Sequence, residues 1–564
     1  MTVSEPLGSS PGTIFNDLPV VPSRESRVIS ASELSLILNP KFHILGSMVL
    51  SAILFSQEET ETSSVQGAFG AVTIDGKIWN QIALRPILPF GKLSVAFDLV
   101  LYIDQDGNIH EDEWDFTSGE KVKNTIIDKL YYVRYGNRWD PFYFRAGALD
   151  FVSMGQGILV SGYSNSILYP QVRKVGLETR FKAFGLSFYG FTNDFKENLG
   201  LSGVRVSGPV PGGIMAGLSI VGDRNQYLGL RDGDGDGRPD LVDDFPDNGD
   251  HWLDTDGDGL ADHDPEEWDI DGDGITDTLD SDIPGWDLDT TIVLDDNIFT
   301  KPEPLNVKDE SDAVYGLALD ASLPIISEED LSLSAYAQFA GLIGETMDPV
   351  TGEDVSLGTG IIPFGISARF GPARFNLEYR MMPQGRFEFG YWNRSYEIDR
   401  ATFSTAGVDP LVTGHAGQII TKASKLGRYG EQKGFYSNLV VGMGTLLDAT
   451  VGYQNLFGEQ WDDQASDFIK ETNQTFLATL QLKRPISRVK TARWYYQQRN
   501  VPNPFDFKYT ENTIMGYRVG LDMGTGMVLN YIFRRSFQDM NGDGRIKGSD
   551  EIVNMTSIET TFSF

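Results

Sequence analysis

The stretch Arg374-Phe375-Asn376-Leu377-Glu378-Tyr379-Arg380-Met381 changes character at every step. Apolar side chains at 375, 377, 379 and 381 alternate with charged or amide side chains at 374, 376, 378 and 380. Successive side chains on a β-strand point to opposite faces, so this segment has one apolar face and one polar face. The same period recurs outward in both directions. Leu93, Val95, Phe97, Leu99 and Leu101 alternate with Ser94, Ala96 and Asp98. Leu177, Thr179 and Phe181 alternate with Glu178 and Arg180, and Phe476, Ala478, Leu480 and Leu482 with Gln481 and Lys483. Met527, Leu529, Tyr531 and Phe533 alternate with Asn530 and Arg534. Helix-period patterns are scarce.

Two architectures use such strands. A soluble sandwich turns its polar face to water and its apolar face to a second sheet. A membrane barrel turns its apolar face to lipid and its polar face to a wet lumen, with short and long connections in alternation. The second rhythm is the one written here. Short turns read at 89–92, 139–141, 182–185, 208–213, 323–328, 371–373, 446–448, 484–486 and 524–526. Polar and mostly longer connections read at about 104–127, 151–172, 194–199, 223–311, 343–357, 384–433, 457–472, 500–512 and 538–552. The expectation is an all-β fold, a transmembrane antiparallel β-barrel of about 20 strands (range roughly 16–22). It occupies 57–564, with its first strand near 67–75 and its last at 553–564. The clusters Tyr131-Tyr132, Trp139 with Phe142-Tyr143-Phe144, Tyr391-Trp392 and Trp494-Tyr495-Tyr496 are expected in interfacial girdles. Gly155-Gln156-Gly157-Ile158-Leu159-Val160, apolar for an external loop, is expected to fold into the lumen as a constriction.

One long loop stands apart. Between Asp232 and Asp289 there are 23 acidic residues and one basic residue, Arg238, a net −22 out of −34 for the 564-residue chain. One pattern occurs three times: Asp232, Asp234, Asp236 and Asp240; Asp254, Asp256, Asp258 and Asp262; Asp269, Asp271, Asp273 and Asp277. Carboxylates fall at relative positions 1, 3, 5 and 9, with Gly at 6. Ca²⁺ takes six to eight oxygens from a tightly curled loop, and Gly supplies the turn. A solvated acidic tract has no need of that spacing. The segment resembles thrombospondin type 3 and related bacterial calcium repeats, and the resemblance implies that these aspartates ligate calcium. The inserted module is set at 223–311. A second loop, Asp539-Met-Asn541-Gly-Asp543-Gly-Arg-Ile-Lys-Gly-Ser-Asp550, is similar to an EF-hand loop with Asp in place of Glu at position 12. Asp104-Gln-Asp106-Gly-Asn108 is a partial third candidate. Every one of these motifs lies in a long connection.

The remaining composition sets bounds. Cysteine is absent, which excludes disulfides, thiolate metal sites and Cys nucleophiles. The run from Lys41 to Ser56 has the length of a signal-peptide core and is too short to span a bilayer as a helix. Residues 1–56 are therefore read as an N-terminal extension with a signal peptide. The chain ends Ser557-Ile558-Glu559-Thr560-Thr561-Phe562-Ser563-Phe564, which resembles the C-terminal strand signature of Gram-negative outer-membrane proteins. The resemblance implies recognition by the barrel-assembly machinery and residence in outer-membrane lipid.

The five histidines show no metal-ligand spacing, and no nucleophile motif or phosphate-binding loop is present. Enzyme activity and nucleic-acid binding are not expected. Arg134, Glu178, Arg180, Arg374, Glu378, Arg380, Lys483 and Arg534 are candidate lumen residues of both signs. The leading expectation is a porin-like channel for small solutes whose acidic loops are extracellular and ordered by Ca²⁺. The alternative is a calcium-dependent surface or adhesion protein for which the barrel is only an anchor.

Overall fold

The computed structural model describes residues 64–564 except 75–76, 111–113, 139, 273, 275, 278–299, 329, 405–416, 525, 542–544, 550 and 564. The expected signal segment, Trp139, Asp273, Asp543, Asp550 and the terminal Phe564 lie outside the described residues.

The period-2 segments form one antiparallel sheet that closes on itself into a 20-stranded barrel. Before the acidic loop come Ser64–Ile74 (β1), Lys77–Phe90 (β2), Leu93–Phe97 continued by Leu99–Ile103 (β3), Leu130–Tyr135 (β4) and Phe142–Gly147 (β5). Gly176–Ala183 (β6), Leu186–Thr192 (β7), Leu201–Val210 (β8) and Ile214–Asp223 (β9) complete that half. After it come Val314–Ser327 (β10), Leu331–Ile343 (β11), Thr359–Phe370 (β12), Ala373–Met382 (β13) and Tyr429–Met443 (β14). Leu447–Asp462 (β15), Asp467–Leu482 (β16), Val489–Val501 (β17), Thr513–Gly524 (β18), Met527–Phe537 (β19) and Ile552–Ser563 (β20) finish the wall. Closure is by β1 against β20, from Gln66 opposite Ser563 to Val72 opposite Ser557. Closure removes the unpaired strand edges that an open sheet would expose.

Cross-strand partners share a face, so the register fixes what points inward. Ser94, Arg134, Arg145 and Glu178 stand in one row across β3 to β6. Arg180, Tyr189, Arg205 and Ser219 stand in another across β6 to β9. The opposite face carries Ile82, Val204, Leu218, Leu319, Phe339, Phe435 and Trp494, all exposed, Phe435 at 59%. A water-soluble barrel would bury such side chains; this one wears them as a belt.

Odd-numbered strands all run the same way, so the connections after β3, β9 and β19 lie at one end. These connections carry the Asp104, Asp232–Asp277 and Asp539 motifs. Three expectations need correction. The 457–472 stretch is not a loop: β15 and β16 pair through it to Asp462 opposite Asp467. Backbone pairing needs no apolar face, so a hairpin can rise above the belt with polar side chains. The 104–127 connection contains a helix, Gly119–Asp128, whose Ser118 side chain accepts from Lys121 N. Tyr391 and Trp392 form no girdle; both are wholly buried inside the barrel.

Candidate functional site

Two long connections, 148–175 after β5 and the described residues of 383–428 after β13, turn into the lumen. They meet there in a short parallel pairing, Val160 beside Trp392 and Ser161 beside Asn393. Leu149, Val152, Met154, Ile158, Leu159 and Tyr163 from the first loop pack with Phe387, Tyr391, Trp392 and Tyr396 from the second. The wall makes room for them. A methyl at Gly316 of β10 would lie 2.9 Å from the Trp392 ring and 3.0 Å from Leu159. The expected inward fold of 155–160 is therefore observed, and the second loop joins it.

A buried ionic cluster holds this plug to the rim. Arg400 donates to Asp223 at 2.6 and 2.8 Å and to Glu197 at 2.8 Å. Lys174 bridges Glu197 and Glu397, and Tyr396 donates to Asp223 at 2.8 Å. The Arg400, Glu397 and Asp223 side chains have no exposed surface. Burial raises the Glu197 carboxyl, but Arg400 and Lys174 overcome it and hold the group down at about 2. Such pairs are costly to break because removing one partner strands the other charge.

The lumen wall is rich in arginine, and most arginines have a carboxylate. Arg85 meets Asp98 at 2.8 Å and Glu559 at 2.9 Å. Arg138, in the β4–β5 turn, meets Glu178 at 2.8 Å, and Arg205 meets Asp320. Arg380 meets Glu378 at 2.7 Å and lies 3.8 Å over the Tyr436 ring. One sector differs. Arg493 and Arg518 are cross-strand partners on β17 and β18, with Arg534 next to them on β19. The plug adds Arg394, whose guanidinium is 4.2 Å from the Tyr495 ring and 5.3 Å from Phe151. Among the described residues no carboxylate lies within salt-bridge distance of Arg394, Arg493 or Arg534. Arg493 Nε and Nη2 are buried with no hydrogen-bond partner. Asp150, which enters the field of Arg493, accepts instead from Ser164 at 3.0 Å and Ser166 at 2.9 Å. This sector is a cationic seat at the junction of wall and plug. Of the sequence-expected lumen residues, Lys483 does not belong: it pairs with Asp448 at 3.0 Å beside a short turn.

The first two acidic repeats fold as copies of one turn, and the described residues of the third make matching contacts. In the first, Asp232 accepts from Gly235 N and Gly237 N at 2.7 and 2.9 Å; Asp254 accepts from Gly257 N and Gly259 N at 2.6 and 3.0 Å. Asp269 likewise accepts from Gly274 N at 3.0 Å. The glycines at positions 4 and 6 have positive φ, for example 85° at Gly235 and 105° at Gly237, which other residues rarely adopt. Asp232, Asp234 and Asp236 bring carboxylate oxygens within 4.8 Å of one another, and so do Asp254, Asp256 and Asp258. The ninth-position aspartates do something else. Asp240 accepts from Gly233 N, Asp262 from Thr255 N and Asp277 from Ile270 N, so each clasps the start of its own turn.

Sequence reading missed Asp243. It is 7% exposed, one of its oxygens has no partner, and its other oxygen accepts from Phe245 N. Burial, with the negative fields of Asp236 and Asp234, pushes its carboxyl up to about 6. It stands at position 12 counted from Asp232, a spacing the sequence displays. The first turn thus offers carboxylates at 1, 3, 5 and 12, a hard-cation donor set. Asp104 binds its own loop, accepting from Asp106 N at 2.9 Å and Asn108 N at 2.7 Å. Asp539 and Asn541 lie in the β19–β20 connection.

The fold and site together define a closed 20-stranded barrel with an interior plug and an acidic loop at one end. No family model and no curated protein matches the chain. Among solved structures, it is similar to Pseudomonas aeruginosa OccK10 (OpdN) at 9% identity and a TM-score of 0.34, covering 90% of this chain and 99% of that one. The outer membrane protein OpdK of Pseudomonas aeruginosa matches at 8% identity and a TM-score of 0.32, covering 89% and 98%. CdiB from Acinetobacter baumannii matches at 6% identity and a TM-score of 0.24, covering 90% and 61%. Likeness this loose transfers no function.

Proposed function

We propose that the protein is an outer-membrane channel for small anionic solutes, with calcium-binding loops at its extracellular end. The observation that carries this reading is the arginine seat at Arg394, Arg493, Arg518 and Arg534. Among the described residues, Arg394, Arg493 and Arg534 have no carboxylate within salt-bridge distance, and such guanidinium groups, against aromatic rings in a narrowed lumen, suit passing carboxylate or phosphate groups. A barrel that served only as an anchor would have no use for a built interior of this kind, which favours channel over adhesin. The exposed apolar belt supports a lipid surround. The closing strand β20 is the element that the assembly machinery would read.

The test is a planar bilayer with a KCl gradient across it. A reversal potential on the anion side is expected, moving towards the cation side in Arg493→Gln/Arg518→Gln/Arg534→Gln. A protein that inserts but conducts nothing would be the anchor of the alternative reading. Lipid embedding has its own check. Phe435→Arg on the outer belt should cost about 2–4 kcal/mol near mid-bilayer, read by urea unfolding in vesicles; a neutral change would place that face in water.

The calcium reading rests on Asp232, Asp234, Asp236 and Asp243, with Asp254, Asp256 and Asp258 as a second group. The third repeat and the 539–550 loop are proposed by spacing alone. Affinities of roughly 10⁻⁴–10⁻³ M are expected, as for extracellular modules.

A further inference from the structure

The base of the acidic module and the lumen plug share residues. The first acidic turn is tied to the returning chain: Lys308 Nζ donates to Gly235 O at 2.8 Å and Asp236 O at 2.7 Å, and Val307 N donates to Gly237 O at 2.8 Å. That returning chain is pinned on Asn225, whose Nδ2 donates to Val307 O at 3.2 Å and Glu310 O at 3.0 Å. Gln226 N donates to Asp312 O at 2.8 Å, closing the neck of the module.

The plug grips the same neck. Tyr391 OH donates to Gln226 Oε1 at 2.8 Å, and Ala423 N donates to the same oxygen at 3.2 Å. Thr421 Oγ1 donates to Asp312, and Arg400 donates to Asn225 O at 3.2 Å. Gln226, Tyr391 and Arg400 are all fully buried. Arg394, which closes the arginine seat, lies three residues beyond Tyr391 on the same loop.

From this continuity we propose that calcium bound in the acidic module controls the constriction, through the neck Asn225-Gln226-Asp312 and the plug residues Tyr391 and Thr421. The inference rests on the calcium reading above. Without a cation, carboxylates of the first turn repel one another, and the cations beside them are Lys308, Arg238 and Arg231. Bound Ca²⁺ removes that repulsion and fixes the turn. The fixed turn holds 306–312, and the neck holds the plug narrow. A ligand shifts an equilibrium only through unequal affinity for the two states. Here the calcium site is complete only when the turn is curled, so calcium favours the state in which the neck is ordered. Coupling is reciprocal, so an anion that seats at Arg394 should in turn tighten calcium.

The test uses the full chain in planar bilayers and detergent. Tyr391→Phe/Thr421→Val is nearly isosteric and removes both plug hydroxyls from the neck, touching neither the acidic turns nor the arginines. Calorimetry should show that the variant still binds calcium, with an affinity no more than about fivefold weaker than wild type, the loss that reciprocity assigns to the cut coupling. In wild type, chelation should raise conductance and change the open-to-closed ratio by about fivefold or more, the lower range of allosteric coupling. The variant should behave as chelated wild type and ignore calcium. Thr421→Ser, alone, should retain the response. Calcium binding without any conductance response in wild type overturns the coupling and leaves the calcium site standing. An equal response in the variant also overturns it, because surface charge would then suffice. Absence of calcium binding in wild type overturns both. Folding of each variant is verified by its faster migration on an unheated gel, and Tyr391→Phe alone serves if the double variant does not assemble.

Discussion

The lumen wall and the acidic loop solve opposite electrostatic problems by opposite means. In the wall, most fixed charges are cancelled locally: Arg85, Arg205 and Arg380 each meet a carboxylate from β3, β10 or β13, and strand register sets the distance. In the loop, the carboxylates far outnumber the cations that meet them, among the described residues Arg231 at Asp240, Arg238 at Asp236 and Lys301 at Asp244. Their oxygens are satisfied by backbone N–H groups of the same turn, as at Asp232 and Asp254. Rigid neighbours permit charge pairing, whereas a turn with few basic residues must leave its net charge for something mobile to neutralise. The same logic marks the exception in the wall. Among the described residues, Arg394, Arg493 and Arg534 have no carboxylate within salt-bridge distance, so the counter-charge there is also left to a visitor.

The comparison breaks most visibly if the visitor to the loop is not a cation. Replacing Asp234, Asp236 and Asp243 by Asn should remove calcium binding at the first turn and lower overall affinity tenfold or more, about 1.4 kcal/mol, by calorimetry. Asp240→Asn should behave differently. It weakens the clasp to Gly233 N without removing a cluster oxygen, so affinity should fall only severalfold while proteolysis within 223–311 increases. Equal losses in the two variants would put Asp240 in the metal set and sink the division of labour drawn here.

The arginine seat gives the next largest effect. Arg493→Gln in isolation should lower anion-over-cation permeability, and Arg205→Gln should do less to selectivity while disturbing the wall, since it strands Asp320. If both variants shift the reversal potential equally, paired and unpaired arginines are equivalent and the contrast within the wall fails.

How much of this was legible follows from what each feature depends on. Strand positions were readable because an apolar outer face and a polar lumen face stamp period 2 on every segment, as at Phe375 to Met381. The acidic turns were readable because their contacts are local, within nine residues. Asp243 was within reach, at position 12 of a visible frame. The plug was half legible. Ile158, Leu159 and Val160 betray themselves as apolar residues in an external loop, but Tyr391 and Trp392 fit a girdle equally well by composition. Only the path of 383–404, fixed by Arg400 reaching Asp223 and Glu197, decides between them, and contacts separated by some 200 positions leave no local pattern. The 457–472 hairpin was missed for a related reason: beyond the apolar belt, strands lose the apolar stamp while keeping their hydrogen bonds.

The smallest expected effect concerns the latch between the two regions. The Glu197 carboxyl is held at about 2 against an ordinary 4.5, with burial opposing and Arg400 and Lys174 prevailing. A depressed carboxyl contributes stability that is complete above its unfolded value and is lost as pH falls through the folded one. The Glu197 contribution to plug stability should therefore be complete from pH 8 down to about 5 and be lost between about 4.5 and 2. Hydrogen exchange of 391–404 and 418–423 in detergent, stepped through that window, is the measurement. Glu197→Gln should remove much of the step and leave the segment less protected at neutral pH, because Arg400 and Lys174 lose a shared counter-charge in a buried site. Protection that declines equally between pH 8 and 5 would mean that the latch is held by groups other than this carboxylate, and the contrast between locally cancelled wall charge and uncancelled loop charge would lose its hinge.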